Sequence, residues 1–511
     1  MRWSLLFLAA CGGGSSLLDA RFGDDDAPSF IFDAPKLDST ICTMFCGGVC
    51  TDTNTDPQHC GTCTNVCPTS APSCSGGTCY QPQATAWVTH FGGADFGNTI
   101  DAVATDTAGN IYVTGSMAGA IDLGGGALTS AGASDILVAS FTSNGMLRWS
   151  KRFGSTGIDQ GAGIAVFNGQ VYVVADFIGT VDFGGGPLVS AGGSDIVVLT
   201  LDWASGDFHA AQRYGTANSD TGIAIGVDFN GYIAFGGFFG QGTLDVGGFP
   251  LVGAGQDNGF VASLDSALGT RWTRMLASSG TGDLSSCQAL AVDPNGDVVT
   301  AGVFSGTVNF GAGTVTASGS DAFVASYDSL GTPRWSHVFG GPQYDTANAI
   351  AVDGTGNVVV GGNYHGNVDF GTGTIPSTGS VDGFLVGYTA TGGFRFARHL
   401  GAATTSTVSG LATTATGGVV ATGHLSGAAD LGTGPLVPLG MDDVFVAELN
   451  AGTATYAKRY GGVDYDEGVA VSIGPTGLVT IGGLFRGTAD FGTGAIAGGA
   501  KDNGFVMTIA P

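Results

Sequence analysis

From Thr85 onward the chain alternates short apolar runs with clusters of Gly, Asp, Asn, Ser and Thr. Between Ala349 and Gly401 the runs read AIAVD, NVVVGGNY, GFLVGYT and FRFARHLG. Apolar runs this short, bounded by glycine, predict strands. They are nearly continuous in apolar residues, as expected of strands covered on both faces by neighbouring sheets. The first two runs of a set flank a glycine turn, as in Asp353-Gly354-Thr355-Gly356-Asn357, Asp293-Pro294-Asn295-Gly296-Asp297 and Asp106-Thr107-Ala108-Gly109-Asn110. These predict hairpins. Amphipathic helices have little to be made from, since the only glutamates are Glu448 and Glu467 and the only lysines Lys36, Lys151, Lys458 and Lys501.

The pattern repeats. A landmark G-x-[VLIA]-[DN]-[FLV]-G begins at Gly119, Gly179, Gly242, Gly306, Gly366, Gly427 and Gly487, at spacings of 60, 63, 64, 60, 61 and 60 residues. A period near 61 with four apolar runs fits a four-stranded blade with one extra loop, so seven copies predict an all-β, seven-bladed β-propeller. The last run of each copy keeps a register of an aromatic and an apolar residue four later: Trp87/Phe91, Trp149/Phe153, Trp272/Leu276, Trp335/Phe339, Phe396/Leu400 and Tyr456/Tyr460, with the aromatic lost at Ala210/Tyr214. Residues four apart on a strand share a face, so these rings should pack between blades.

The phase of the repeat sets the closure. An outer strand, ATAWVTHFGG, precedes any inner strand, whereas NGFVMTIAP has no outer strand after it. Pairing the two completes one split blade and removes both free sheet edges. With AIAVDGTGNVVVGG and GSDAFVASYDSLGTPRWSHVFGG as its most telling stretches, Trp87 to Pro511 resembles the SBBP-type bacterial β-propeller repeat. That resemblance implies an exported propeller and no reaction.

The other end has a different composition. Residues 1–10, MRWSLLFLAA, form a short apolar segment before Cys11, too short to span a bilayer and readable as a processing signal. It resembles the lipobox of bacterial lipoproteins, which implies a signal peptide over 1–10 and lipidation of Cys11. Glycine after that cysteine resembles the outer-membrane sorting class. Residues 11–40 lack periodicity and predict a flexible tether. Residues 41–80 hold Cys42, Cys46, Cys50, Cys60, Cys63, Cys67, Cys74 and Cys79. An even count in so short a segment predicts four disulfides in place of a hydrophobic core, with 105 pairings open. Zinc at the Cys60/Cys63 knuckle is the competing reading. CGGVCTDTNTDPQHCGTCTNVC resembles the cysteine-rich motif named for stigma-specific plant proteins, which implies no activity. Cys287 stands alone beside an apolar run, as a buried small hydrophobe.

A net charge of −26, almost all from aspartate, excludes nucleic acid as a partner and disfavours anionic lipid surfaces, so membrane association is expected through the lipid anchor alone. Most aspartates read as turn formers. Asp135, Asp195, Asp257, Asp321, Asp382, Asp443 and Asp502 recur before the third strand, as a bond to a backbone N–H in every blade. Asp95, Asp159, Asp220, Asp283, Asp345 and Asp466 enter the first strand in six copies, a ring that could hold Ca²⁺ at one channel mouth. No other cofactor is implied. The seven histidines are scattered, with no H-x-x-x-H pair, and no P-loop or nucleophile-elbow motif occurs, so no catalytic residue is assigned. SYDSLGTPRW comes near a sialidase-type turn, with Gly331 one place late. Arg271, Arg274, His365 and Glu467 are unrepeated and are the residues to examine for an active site. The reading is a monomeric, non-catalytic envelope lipoprotein that binds a glycan, peptide or protein. The alternatives are an exported polysaccharide hydrolase or lyase and a structural envelope protein.

Overall fold

The structure is a computed structural model that describes residues 83–92, 97–276, 280–311, 313–371 and 373–510, with short pieces between 44 and 80. Cys11, Cys42, Cys60, Cys63, Cys67 and Asp95, the signal segment and the tether lie outside the described residues. Two small hairpins are described in the cysteine-rich segment: Met44–Cys46 with Val49–Thr51, and Ser73–Ser75 with Thr78–Tyr80. Cys74 lies across from Cys79 in the second; it is buried and does not titrate as a free thiol. Among the described residues no helix is long and apolar enough to cross a membrane.

The remainder is a seven-bladed β-propeller of four-stranded antiparallel sheets. Blade one comprises Thr99–Thr105, Ile111–Met117, Asp135–Phe141 and Leu147–Phe153, from the inner strand to the outer. Inner strands of the following blades are Gln160–Phe167, Asp220–Val227, Ser285–Val292, Thr346–Val352, Ser406–Thr413 and Asp466–Ile473. Blade seven is split as the repeat phase predicts, for Asn503–Ile509 pairs antiparallel with Thr85–Phe91, Gly504 opposite Phe91 and Thr508 opposite Trp87. Its inner strand lies beside that of blade one, so the ring is closed.

Turn chemistry accounts for much of the aspartate. In the hairpin joining the first two strands of blade one, Asp106 Oδ1 accepts N–H bonds from Ala108 and Asn110, both at 2.8 Å, while Gly109 takes the left-handed conformation (φ 82°). Asp228, Asp293 and Asp353 do the same. The landmark motif is a two-stranded ribbon between the second and third strands, as in Ala120–Asp122 with Ala127–Thr129. In blade four it is continuous with its flanking strands, Val298–Asn309 and Thr314–Tyr327.

The core lies between blades. One cluster joins Tyr172, Val198 and Tyr214 of blade two to Phe235, Phe260 and Leu264 of blade three. Each buried ring or branched chain contributes about 1.5–3 kcal/mol, and a lone blade would leave two such faces wet. The outer-strand tryptophans fill these seams and reach the next blade. Nε1 of Trp87, Trp149, Trp272 and Trp335 donates to the carbonyls of Ser143, Trp203, Ser329 and Ala390, at 2.9, 3.1, 3.1 and 3.1 Å.

Candidate functional site

Every inner strand carries a β-bulge two or three residues after its start, between Ile100 and Ala102, Gly161 and Gly163, Gly222 and Ala224, Cys287 and Ala289, Ala347 and Ala349, Val408 and Gly410, and Gly468 and Ala470. A bulge re-aims one side chain away from the regular alternation. Here the extra residues include Asp101, Ala162, Ile223, Gln288, Ser409 and Val469, all lining the axial channel, whose cavity measures about 200 Å³. The backbone is seven-fold while the channel chemistry is not, so an unrepeated site is built on a repeated scaffold.

One set of polar side chains lies at the mouth over blades six, seven, one and two. Glu467 lies in the blade-seven inner strand and accepts from Ser409 Oγ (3.0 Å) and Tyr465 Oη (2.6 Å). His424 Nδ1 stands 3.3 Å from its Oε1, an ion-pair distance. Burial acts to raise the Glu467 carboxyl, but His424 and the two hydroxyls outweigh it and hold it below its ordinary range. Burial acts to lower His424, and the carboxylates of Glu467 and Asp442 overcome it and raise the imidazole. In blade one Asp101 accepts from Thr99 Oγ1 (3.0 Å) and Gln160 Nε2 (3.1 Å). Enclosure in the ring pushes its carboxyl up to about 6, with Glu467 adding repulsion. Two carboxyls at one mouth are thus driven in opposite directions.

The rim beside this cluster is apolar. Leu439, Met441 and Val463 are 64%, 67% and 67% exposed, in the loops leading to the third strand of blade six and the inner strand of blade seven. The loops touch: a β-carbon on Gly440 would come 2.3 Å from the Val463 carbonyl, so glycine permits the approach. Ala133 and Gly193 hold the Met441 position in blades one and two, so the patch is not a product of the repeat.

The two aspartate sets sort differently from their sequence alignment. At the start of the third strand the register position holds Asp135, Asp195, Asn258, Asp321, Asp382, Asp443 and Asn503. Asp257 and Asp502 are each one residue early, displaced by asparagines in the true position. The expected backbone bond is present: Asp135 accepts from Ala131 N (2.8 Å), Asp195 from Ala191 N (2.9 Å) and Asn258 from Gly255 N (2.9 Å). Arg152, Arg213, His399 and Arg459 pair with Asp135, Asp195, Asp382 and Asp443.

Before the inner strand the equivalent residues are Asn98, Asp159, Asp220, Ser285, Asp345, Ser406 and Asp466. Their backbone N–H groups bond to the carbonyls of Asp502, Ser134, Ser194, Asp257, Ser320, Val381 and Asp442 in the preceding blades, at 2.8–3.0 Å. This latch crosses all seven seams. Asp159, Asp220, Asp345 and Asp466 direct carboxylate oxygens to amides, including Ile178 N (2.8 Å), Gly240 N (3.3 Å), His365 N (2.7 Å) and Gly462 N (2.6 Å). Asp283 lies two residues before Ser285, and the sixth blade has a serine where the sequence showed no counterpart. Ca²⁺ at these positions would compete with those amides. Among the described residues no group of three or more His, Cys, Asp or Glu is placed to hold a metal.

Of the other singled-out residues, Glu467 alone joins the mouth cluster. Arg271 and Arg274 are repeated, contrary to the expectation from sequence: Arg271, which lies over the Tyr232 ring with its Cζ 3.6 Å from the centroid, holds the register position of Arg148, Arg334 and Arg395, and Arg274, whose Nε donates to Gly331 O (2.6 Å), holds that of Arg398. His365 Nδ1 contacts the Tyr344 carbonyl. Cys287 is fully buried, 2.8 Å from Thr300 Oγ1, and burial pushes its thiol up to about 12. The sequence did not single out His424, Tyr465 or Asp101; His424 and Asp101 carry the one signal that each lacks a copy in the other blades, whereas Tyr465 has a counterpart in Tyr344 of blade five.

No family model matches the chain. It is 28% identical over 213 residues to the regulatory protein FlaEY of Caulobacter vibrioides, a match covering 41% of this chain and 20% of that protein. The chain thus spans about a fifth of that relative's length. Among solved structures, the quinohemoprotein alcohol dehydrogenase of Comamonas testosteroni gives a TM-score of 0.40 at 12% identity, over 82% of this chain and 76% of that one. BamB of Moraxella catarrhalis gives 0.37 at 11%, over 82% and 99%. At these identities no activity or ligand carries over to this chain.

Proposed function

We propose that this chain is an exported cell-envelope lipoprotein whose propeller is a non-catalytic binding scaffold for a peptide or protein. The observation that carries the binding reading is the exposed trio Leu439, Met441 and Val463 beside the ion-paired Glu467 and His424. Apolar contact surface next to directional polar groups is the composition of a protein-binding patch. The anchoring half rests on the sequence alone: cleavage after residue 10, acylation of Cys11, a tether over 11–40 and a four-disulfide module over 41–80. Such an arrangement would hold a monomeric propeller away from the outer membrane.

Peptide-library selection on the chain lacking residues 1–40 tests the binding half. Selected peptides should lose binding by about tenfold or more in M441D or V463D. Selection of no peptide, or indifference to both substitutions, would sink it. Incorporation of labelled palmitate that disappears in C11S tests the anchor.

A second reading, a polysaccharide hydrolase, has one observation in its favour. Asp101 is raised and Glu467 lowered at one mouth, and opposed carboxyls are the raw material of general acid–base catalysis. Release of reducing ends from envelope polysaccharides that is abolished in D101N would establish it.

A further inference from the structure

On the opposite face, the seam between blades six and seven contains a cavity of about 430 Å³. Its walls include Val420, Val446, Ile473, Val479 and Ile509, and it also takes in Glu448 and Tyr456. The same seam between blades one and two is filled, and the comparison shows by what. There Arg148 extends inward, its Nη1 2.9 Å from Tyr112 Oη, 2.8 Å from Ser140 Oγ and 3.2 Å from the carbonyl of Trp203. Trp203 belongs to the turn joining the third and fourth strands of blade two.

The strand registers align each member of that set with a residue of blade six. Tyr112, opposite Ser140, corresponds to Val420, opposite Glu448. Trp149 corresponds to Tyr456, and Arg148, just before it, to Thr455. A large phenol has become a valine, the guanidinium is gone, and a hydroxyl has become a carboxylate. The strand-joining turn is missing as well. The third and fourth strands of blade seven come from opposite ends of the repeat array, so no turn connects them, and Ala510 and Gln83 line the space instead. Glu448 shares its strand face with Val446, which packs against blade seven. Its carboxylate has no hydrogen-bond or ion-pair partner among the described residues.

We infer that this cavity is a binding site for a monovalent organic cation on a short aliphatic stem, an alkylguanidinium or alkylammonium, whose head takes the place that Arg148 fills in the seam between blades one and two. Glu448 is the one charged residue in a lining that mixes aliphatic side chains with Gln83, Thr413, Thr414 and Thr416, and that composition selects for such a cation: the stem buries against valine and isoleucine while the head pairs with Glu448. An anion is repelled, and a divalent metal finds one carboxylate where it needs several oxygen ligands. The site lies on the face opposite the channel-mouth cluster and is independent of the function proposed there.

Calorimetric titration of the full chain with n-butylguanidinium, a monocation, at about 150 mM salt, where long-range attraction to the acidic surface is screened, tests the assignment. One saturable site is expected, weakened by about tenfold or more in E448Q, which keeps the shape of the side chain. T455R supplies the guanidinium from the chain itself and should abolish binding while raising the melting temperature. A blocked Gly-Arg-Gly peptide separates the two sources of the cation. Binding as tight as that of n-butylguanidinium assigns the site to a protein-borne side chain, whereas n-butylguanidinium binding alone assigns it to a small free cation. Binding of neither, or n-butylguanidinium binding that survives E448Q unchanged, overturns the proposal.

Discussion

Gly206 lies against the indole of Trp149 so closely that a β-carbon there would stand 2.6 Å from Cε3. The same contact joins Gly145 to Trp87, Gly331 to Trp272 and Gly392 to Trp335, each glycine in the left-handed region. Blade two has lost its aromatic at Ala210, and there the facing turn has lost its glycine. Leu268 occupies that position at φ 65°, 9% exposed, in the cluster against which Ala210 packs. The leucine refills the volume that the tryptophan left.

This exchange predicts strong coupling between the two positions. A210W should destabilise by about 1–3 kcal/mol through overpacking against Leu268, and L268G by a similar amount through the lost burial. The double substitution rebuilds the pair used in four other seams and should recover at least about 1 kcal/mol of the summed loss. Urea unfolding of the four proteins reads the coupling directly; simple additivity would refute it.

Asp321 is the one member of its register set that is an aspartate without a cation, because Val338 stands where Arg152, Arg213, His399 and Arg459 stand in other blades. Burial raises its carboxyl, so the fold favours the protonated form more than the unfolded chain does. The stability it contributes is present below its unfolded pKa and is lost as pH rises through the higher folded value. D321N, which copies the natural Asn258 and Asn503, should therefore stabilise at pH 7 by about 1 kcal/mol, with the gain vanishing as the pH falls below the carboxylate range. Thermal melts across pH check it.

Glu467 and His424 stabilise each other only while both are charged. The lowered Glu467 contributes stability above its unfolded pKa, lost as pH falls through its folded value. The raised His424 contributes below its unfolded pKa, lost as pH rises through its folded value. E467Q should cost about 1–2 kcal/mol near pH 5.5 and clearly less near pH 8.5, and should lower the His424 titration midpoint seen by NMR. A cost independent of pH would show that the pair is not ionic.

Removing residues 1–91 deletes the outer strand of blade seven and exposes the edge of Asn503–Ile509, a strand buried along its whole length. The truncated chain should melt lower and aggregate, because an unpaired apolar edge recruits other chains. Light scattering against the chain lacking only residues 1–40 gives the comparison.

Much of this architecture was legible because a propeller writes itself locally. Hairpin turns such as Asp353 to Asn357 and the aromatic register from Trp87 to Tyr460 depend on neighbours in sequence. Turn formation and strand alternation are short-range physics. The candidate site was far less legible. His424 and Glu467 are 43 positions apart and in different blades, and neither neighbourhood carries a motif.

Blade number, strand order and the closing pair of strands followed from periodicity and phase alone, since a strand with no partner in its own copy must find one at the other end of the array. The coordinates decided which residues share a position. Loops of unequal length put Asn98, Ser285 and Ser406, and not Asp283, at the latch between blades. A bulge in each inner strand chose which side chain faces the axis. Sequence position counts residues along the chain, whereas register counts hydrogen bonds across it, and the two diverge wherever a loop or bulge adds a residue.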